Sequence, residues 1–292
     1  MGTDPPAGVL RVDKPPGPTS HDVVAVARRA LMTRRVGHTG TLDPFASGLL
    51  ILCLGWATRL AEYLAGLSKS YQAVMKLGEE TDTHDRTGAV VARSDRWRGL
   101  SQEQVAAALE RRSGPQLQVP PLHSAKKLAG ERLYAKARRG ELVTPQPVAV
   151  SIENICLTGW DPPCVSFETT CSSGTYVRAI ARDVGLDLNS FAHLMELRRT
   201  AVGQHAVTAA LSLRELQLGN IEGHLLDAVD ALPHLPRLPV DDAAATAIRH
   251  GRTVPAPAGL TASVILILWR DRLLAVGSAG GGRLHPEKVF DA

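Results

Sequence analysis

The chain has 292 residues, 44% of them hydrophobic and 21% charged, enough for one large domain with a smaller one or for two of moderate size. That composition excludes a disordered or fibrous protein, and apolar stretches such as residues 264–269 are far too short to cross a bilayer. The formal net charge is +4, with arginine far in excess of lysine; this suits an anionic partner, although GC-rich coding accounts for the arginine slightly better.

Residues 9–12 (VLRV) read as a short strand, stopped by the turn Lys14-Pro15-Pro16-Gly17. Thr19 and Ser20 offer an N-cap, and Val23, Val26, Ala27, Ala30 and Leu31 follow at the spacing of one helix face. The loop RRVGHTGTLDPFAS then leads into GLLILCLG (48–55), a continuous apolar run expected of a strand covered on both faces. A helix is expected over 57–67, with Leu60, Tyr63, Leu64 and Leu67 on one side. Tyr71, Ala73, Met75 and Leu77 alternate with Gln72, Val74 and Lys76, the pattern of a strand that begins near Tyr71. The acidic loop GEETDTHDRTG leads to a return strand around Val90 and Val91.

Residues 101–111 carry a helix start signal: Ser101 and Gln104 have capping-box spacing, and Leu100 with Val105 can form a hydrophobic staple. The segment 120–140 (PPLHSAKKLAGERLYAKARRG) sets Lys126, Lys127, Arg132, Lys136, Arg138 and Arg139 against a single acid, Glu131. Taken as a helix from Glu131 to Arg139, it puts Arg132, Lys136 and Arg139 on one face. Val165, Phe167, Thr169 and Cys171 alternate into the turn Ser172-Ser173-Gly174, and TYVRAIARDVG reads as a strand end passing into a helix. PHLPRLP (233–239) reads as a linker, and the remaining C-terminal residues as a compact β-rich tail. Four cysteines without CxxC spacing exclude a zinc ribbon or a disulfide scaffold and suit a reducing cytosol. The N-terminus shows no basic region followed by an apolar one, so no signal peptide is expected.

Asp43 is the residue that composition does not explain. It is the one acid in RRVGHTGTLDPFASGLLILCLGWATRL, set between a Gly/Thr-rich loop and a run fit for burial. An Asx turn held by Pro44 is one explanation. The other is a carboxylate at the mouth of a core, approached by a ligand over Gly37, Gly40 and Gly48, acting as nucleophile or base if a cation keeps it ionised. His38 and Thr39 either satisfy loop backbone groups or serve a base or phosphate. Tyr71 and Tyr176 are core aromatics or base-stacking platforms. Arg178 forms a surface pattern with Arg182 or is the cation that lowers the Asp43 pKa. The basic segment 126–139 is a solvated face or a tracker of phosphates. Glu79, Glu80, Asp82 and Asp85 fail the calcium-loop pattern, so no metal is expected, and the glycines at 277–282 do not make a dinucleotide fingerprint.

GHTGTLDPFASGLLILCLGWATRL resembles the signature of the TruB-type tRNA pseudouridine-55 synthases. DKPPGPTSHDVV is similar to that family's opening, KSYQAVMKLGEETDTHDRTG to its second motif, and PPLHSAKKLAGERLYAKARRGE to its RNA-gripping thumb. CSSGTYVRAIARDVG is similar to its third motif, HLMELRRTAVG to the segment that closes its site, and RLHPEKVF to the end of its small PUA-like module. These stretches occur in the family's order. The pattern departs at His123, where an aromatic is expected, at Ala135, where an acid often stands, and at a missing glycine before Ala192-His193-Leu194.

The resemblance implies an α/β (α+β) fold: a catalytic core with a mixed, mainly antiparallel sheet flanked by helices over 1–235. A thumb-like insertion would span about 118–147 and a β-rich PUA-like module 236–292. It implies that Asp43 is the catalytic nucleophile, that Tyr71 stacks on the target uracil, and that Arg178 pairs with Asp43. Tyr176 and Leu197 would line the uridine pocket and His38 would help displace the nucleotide. Lys14 (packed with Pro15 near the site), Lys126, Lys127, Arg132 and Lys136 would contact RNA. The implied reaction is isomerisation of uridine 55 in the tRNA T-loop without cofactor or metal, by a cytoplasmic monomer. Two other readings share these motifs: the catalytic subunit of a guide-RNA-dependent particle, and a non-catalytic tRNA-folding chaperone.

Overall fold

The computed structural model describes residues 6–121, 127–128, 131–132 and 145–290. Strand β1 (Gly8–Lys14) is followed by helix α1 (Ser20–Ala30), the short strand β2 (Val36–His38) and the apolar strand β3 (Ser47–Leu54). A 3₁₀ turn (Gly55–Leu60) and helix α2 (Ala61–Ala65) lead to β4 (Lys69–Leu77), the pair β5 (Glu79–Thr81) and β6 (Val90–Arg93), helix α3 (Gln102–Glu110) and β7 (Gly114–Gln118). After the two-residue strands β8 (Lys127–Leu128) and β9 (Glu131–Arg132) come β10 (Val148–Asp161), β11 (Cys164–Cys171), helix α4 (Val177–Asp187) and β12 (Ala192–Val202). Short elements follow: β13 (His205–Ala206), β14 (Leu211–Ser212), α5 (Leu213–Gln217) and β15 (Leu225–Leu226). The tail contains β16 (Arg237–Pro239), α6 (Asp242–Arg249), β17 (Val254–Pro255), β18 (Ala262–Trp269), β19 (Arg272–Gly280) and β20 (Arg283–Val289).

One large mixed sheet runs β14-β1-β3-β12-β4-β11-β10-β7, and a five-stranded sheet in the order β16-β18-β19-β20-β17 forms the tail. Pairing in the large sheet is antiparallel except at β1–β14 and β3–β12, so the expected α+β class with a mainly antiparallel sheet is what the chain forms. The apolar run reads correctly: Leu49, Ile51 and Cys53 face one hydrophobic cluster, while Leu50, Leu52 and Leu54 face another against Val23 and Ala27 of α1. The first of these clusters also contains Leu266, Leu268, Leu273, Val276 and Phe290, so the tail packs into the same core as β3. The anticipated capping box of Ser101 with Gln104 is present, and the N-cap expected at Thr19-Ser20 is Thr19, which forms a capping box of its own with Asp22.

Several expectations need correction. Val36–His38 is not loop but a strand paired with β3, because the three residues can extend the ladder beside Leu52 and Leu54. The helix expected over 57–67 begins as a 3₁₀ turn; the Thr58 hydroxyl donates to the Gly55 carbonyl at 2.9 Å, a local bond that competes with the α pattern. Glu131 and Arg132 are not the start of a helix: they pair antiparallel with Leu128 and Lys127, so their backbone groups are taken up by a ladder. The rest of that expected helix, with Lys136, lies outside the described residues, and so does Lys126. The end of the proline-rich linker is a strand, Arg237–Pro239, parallel to β18, and the tail holds a helix, α6, besides its strands. Among the described residues no helix is long and apolar enough to cross a membrane.

Candidate active site

Asp43 sits in the loop between β2 and β3, and the elements around it hold that loop by its backbone. Ser20, the first residue of α1, accepts from the Leu42 amide at 2.8 Å and donates to the Leu42 carbonyl at 3.2 Å. Gly17 donates to the Pro44 carbonyl at 2.8 Å, and Thr39 to the Ile51 carbonyl at 3.1 Å. Lys14, at the end of β1, is fully buried and donates to the carbonyls of Pro15 and Pro18 at 2.9 Å each, with the Pro44 carbonyl at 3.5 Å. The expected contact of Lys14 with RNA is therefore corrected: its ammonium is spent inside the protein on the carbonyls of the flanking turns. Burial lowers its pKa to about 8, with the Asp43 anion opposing.

Arg178 enters from the first turn of α4. Its Nε lies 2.9 Å from Asp43 Oδ2 and its Nη2 donates to Asp43 Oδ1 at 3.3 Å, a two-point grip on one carboxylate. Its remaining nitrogen, Nη1, donates to the Thr83 carbonyl at 2.9 Å and to Asp85 Oδ2 at 3.2 Å. Asp85 is buried and also accepts from Thr83 Oγ1 and the Thr87 amide at 2.9 Å each. One guanidinium thus bridges two carboxylates. The start of α4 is held by Gln118, which accepts from the Tyr176 amide at 2.8 Å and donates to its carbonyl at 3.1 Å.

These groups wall a cavity of about 540 Å³, lined by Asp43, Tyr71, Tyr176, Arg178, Leu197 and Arg199 among others. Asp43, Tyr71, Tyr176, Arg178 and Leu197, each singled out in the sequence, therefore meet in one place. His38 does not line the cavity; it lies next to Thr39, which does, with its ring edge-on to His21 at 5.4 Å between centroids. Of the expected RNA-contacting residues in the basic segment, only the backbones of Lys127 and Arg132 are described.

The electrostatics differ from expectation in one respect. The sequence reading has Arg178 pull the Asp43 pKa down, and its charge does act that way. Burial acts in the opposite sense and is larger, the nearby Asp85 anion adds to it, and the net shift is upward from the ordinary value of 3.8. One third of the Asp43 side chain stays open to the cavity, so water reaches the carboxylate through the mouth. Burial likewise raises the Tyr71 pKa, with Arg199, hydrogen-bonded to it, opposing. Among the described residues no group of three or more His, Cys, Asp or Glu side chains could hold a metal ion.

Sequence reasoning misses Asp85, which it groups with a solvated acidic loop, and Arg199, to which it gives no role. Arg199 is buried; its Nε donates to the Leu49 carbonyl at 2.7 Å and its Nη2 to the Gly40 carbonyl at 3.0 Å, while Nη1 lies 3.5 Å from the Thr41 carbonyl. It ties Tyr71 to the Asp43 loop. A signal is available: neighbours on a strand face opposite ways, and Arg198 pairs instead with Asp13 at 2.7 Å. Arg199→Met leaves those carbonyls without their donor and is expected to cost about 3 kcal/mol of unfolding free energy, read from urea denaturation. A loss below about 1 kcal/mol would mean water replaces the guanidinium freely.

Residues 28–177 match the family described as TruB family pseudouridylate synthase (N terminal domain). The chain is 47% identical to a tRNA pseudouridine synthase B from Symbiobacterium thermophilum, over 84% of this chain and 82% of that protein. It is 41% identical to one from Thermobifida fusca, over 97% of this chain and 98% of that protein. Among solved structures, a chain from an H/ACA RNP bound to a substrate RNA containing 2'-deoxyuridine superposes with a TM-score of 0.74 at 26% identity, over 98% of this chain and 85% of that one. A chain from a Cbf5-Nop10-Gar1 complex gives the same TM-score, 0.74, at 27% identity, over 97% of this chain and 85% of that one.

Proposed function

The chain belongs to the TruB family of pseudouridylate synthases, and from that premise we propose that it isomerises uridine 55 in the tRNA T-loop, with Asp43 as the reacting group. It is an enzyme that converts uridine to pseudouridine in tRNA. We place residues 1–235 as its catalytic unit and 236–292 as a PUA-like RNA-binding module, in a monomer acting in the cytoplasm without cofactor. The observation that carries the site assignment is the two-point contact of Arg178 with Asp43 on the wall of a cavity that Tyr71 also lines.

The chemistry uses those groups in order. The target base is first unstacked from the RNA loop, at a cost of a few kcal/mol. Stacking on Tyr71 offsets part of it, and apolar contact with Leu197 helps hold the flipped ring. His38, beside the mouth, would fill the space the base leaves. The Asp43 anion then either adds to C1′ as the N1–C1′ bond breaks or removes a sugar proton to give a glycal-like intermediate. The freed uracil then turns and C5 bonds to C1′; in the first route the bond from C1′ to the Asp43 oxygen breaks as this happens, and in the second Asp43 returns the proton to the sugar. The C5 proton departs to Tyr71 or to water, and N1 takes up a proton in its place. The products carry the same atoms as the substrate, so no co-reactant is needed.

The test is tritium release from [5-³H]uridine in an unmodified tRNA transcript. Release that disappears when uridine 55 is replaced by cytidine supports the reading; well-folded protein that binds the transcript without release overturns it and favours a chaperone role. Guide-independent release also separates this enzyme from the catalytic subunit of a guided particle.

A pH profile follows from the electrostatics. The anion is the active form, so activity is lost as pH falls through the Asp43 pKa, and the acid limb of kcat/KM is expected above 3.8. Arg178→Gln removes the cation that opposes burial, and the limb is expected to move further up. A downward move would mean that the limb belongs to another group.

A further inference from the structure

The last turn of α1 and the turn that joins it to β2 carry Arg28, Arg29, Arg34 and Arg35, all exposed. No acidic residue occurs between Asp22 and Asp43. Arg28 donates to the Val36 carbonyl at 2.9 Å. Among the described residues none of the four arginines has a carboxylate within ion-pair distance, whereas Arg98, Arg112, Arg182, Arg198 and Arg270 each have an aspartate there. Four like charges in eight residues repel one another, and no carboxylate among the described residues pairs with them to offset that repulsion. At the tip Met32 is 92% exposed with a φ of +47°. An apolar side chain is thus held in water on a backbone conformation that L residues seldom adopt.

The position of this turn matters as much as its charge. Helix α1 starts at the site, where Ser20 holds Leu42 and His21 meets His38. At about 1.5 Å of rise per residue, Arg28 and Arg29 lie about 12 Å further along it. Strand β2 returns along a neighbouring path, and Arg35 precedes His38 by three residues, about 10 Å of extended chain. Both elements thus place the turn about 10–12 Å from Ser20 and His38, which border the site.

We propose that this arginine turn is a second RNA-binding surface, which holds phosphodiester groups of the substrate RNA outside the pocket while Met32 packs against a ribose or base. The proposal rests on the reading of this chain as an RNA-modifying enzyme. Guanidinium forks suit phosphate oxygens, and each phosphate contact releases counterions. Binding RNA relieves the repulsion that the free protein carries and covers the exposed methionine.

The test compares the full chain with an Arg29→Gln/Arg34→Gln/Arg35→Gln variant, leaving Arg28 to hold Val36. Affinity for a tRNA transcript is measured from low to moderate salt, together with single-turnover tritium release at saturating enzyme. The variant is expected to bind about ten- to a hundredfold more weakly, with a salt slope shallower by about two to three. Its rate at saturation stays within about twofold and its thermal stability stays equal or rises, because repulsion has been removed. Met32→Ser is expected to weaken binding without changing the slope. Unchanged affinity and slope in an active background overturn the proposal and return the turn to a solvated face or to a protein partner. A lowered saturated rate with unchanged affinity overturns it as well. Wild-type protein that releases no tritium removes the parent reading instead, which keeps the two failures distinct.

Discussion

Asp43→Asn is expected to lower tritium release by on the order of 10⁴-fold or more, while tRNA affinity changes little. The amide keeps the shape of the carboxylate but can neither add to C1′ as an anion nor take a sugar proton. The fold should survive, because the loop is held by its backbone through Ser20, Gly17 and Lys14 and not by the Asp43 side chain. Arg178 keeps Asp85 as its partner. Three readouts are needed together: release of tritium, affinity for the transcript, and thermal stability. Residual activity within about tenfold of wild type would remove Asp43 from the chemistry and return it to the turn-forming role that its Leu-Asp-Pro setting also allows.

Gly48→Ala carries the second largest expected effect, and it strikes stability before chemistry. Gly48 has a φ of +102°, and a Cβ built there would lie 2.2 Å from the Arg199 carbonyl oxygen and 2.6 Å from its amide nitrogen. Neither side can yield cheaply, because Gly48 and Arg199 face each other in the short parallel ladder between β3 and β12. The expected loss is about 4 kcal/mol or more, a size reserved for identifiable clashes. Gly114→Ala is the control: its φ is +88° but no atom lies within 4 Å of the added carbon, so backbone strain alone should cost about 1 kcal/mol. Equal losses at the two sites would mean that the β3–β12 ladder relaxes, and that the spacing between Arg199 and the Asp43 loop is looser than the distances imply.

Much of the sheet is legible in the sequence because its signal is local. Tyr71, Ala73, Met75 and Leu77 alternate in sequence and are buried on one side of β4. The continuous run of β3 reads as covered on both faces, and it is. The elements that escape lack such a period. β10 mixes exposed and buried positions around two register shifts, and β16 is a three-residue strand inside a proline-rich stretch. In the site, Asp43 stands out because a lone acid among glycines and apolar residues is hard to explain otherwise. Its contact with Arg178 spans 135 residues and depends on how α4 meets the sheet, which no local pattern encodes. Asp85 is hidden by its neighbours: Glu79, Glu80 and Asp82 make the segment look solvated, while its own carboxylate is turned inward. Lys14 is hidden by its type, since a lysine in a proline turn reads as a surface cation until the carbonyls around it are seen.

The core that β3 shares with the tail sets a timetable for the chain as it is made. Leu49, Ile51 and Cys53 emerge early in synthesis, but residues 266–290 that pack into the same cluster come more than two hundred residues later. At about 5–20 residues per second, that strand waits on the order of 10–50 seconds with one face incompletely covered. Its other face can be covered by α1 much sooner. The strand after the Asp43 loop is therefore among the first parts to be synthesised and among the last to be finished. A ribosome that stops short of residue 264 would release a polypeptide carrying Asp43, Tyr71 and Arg178, but with an apolar surface that invites aggregation in place of a working pocket.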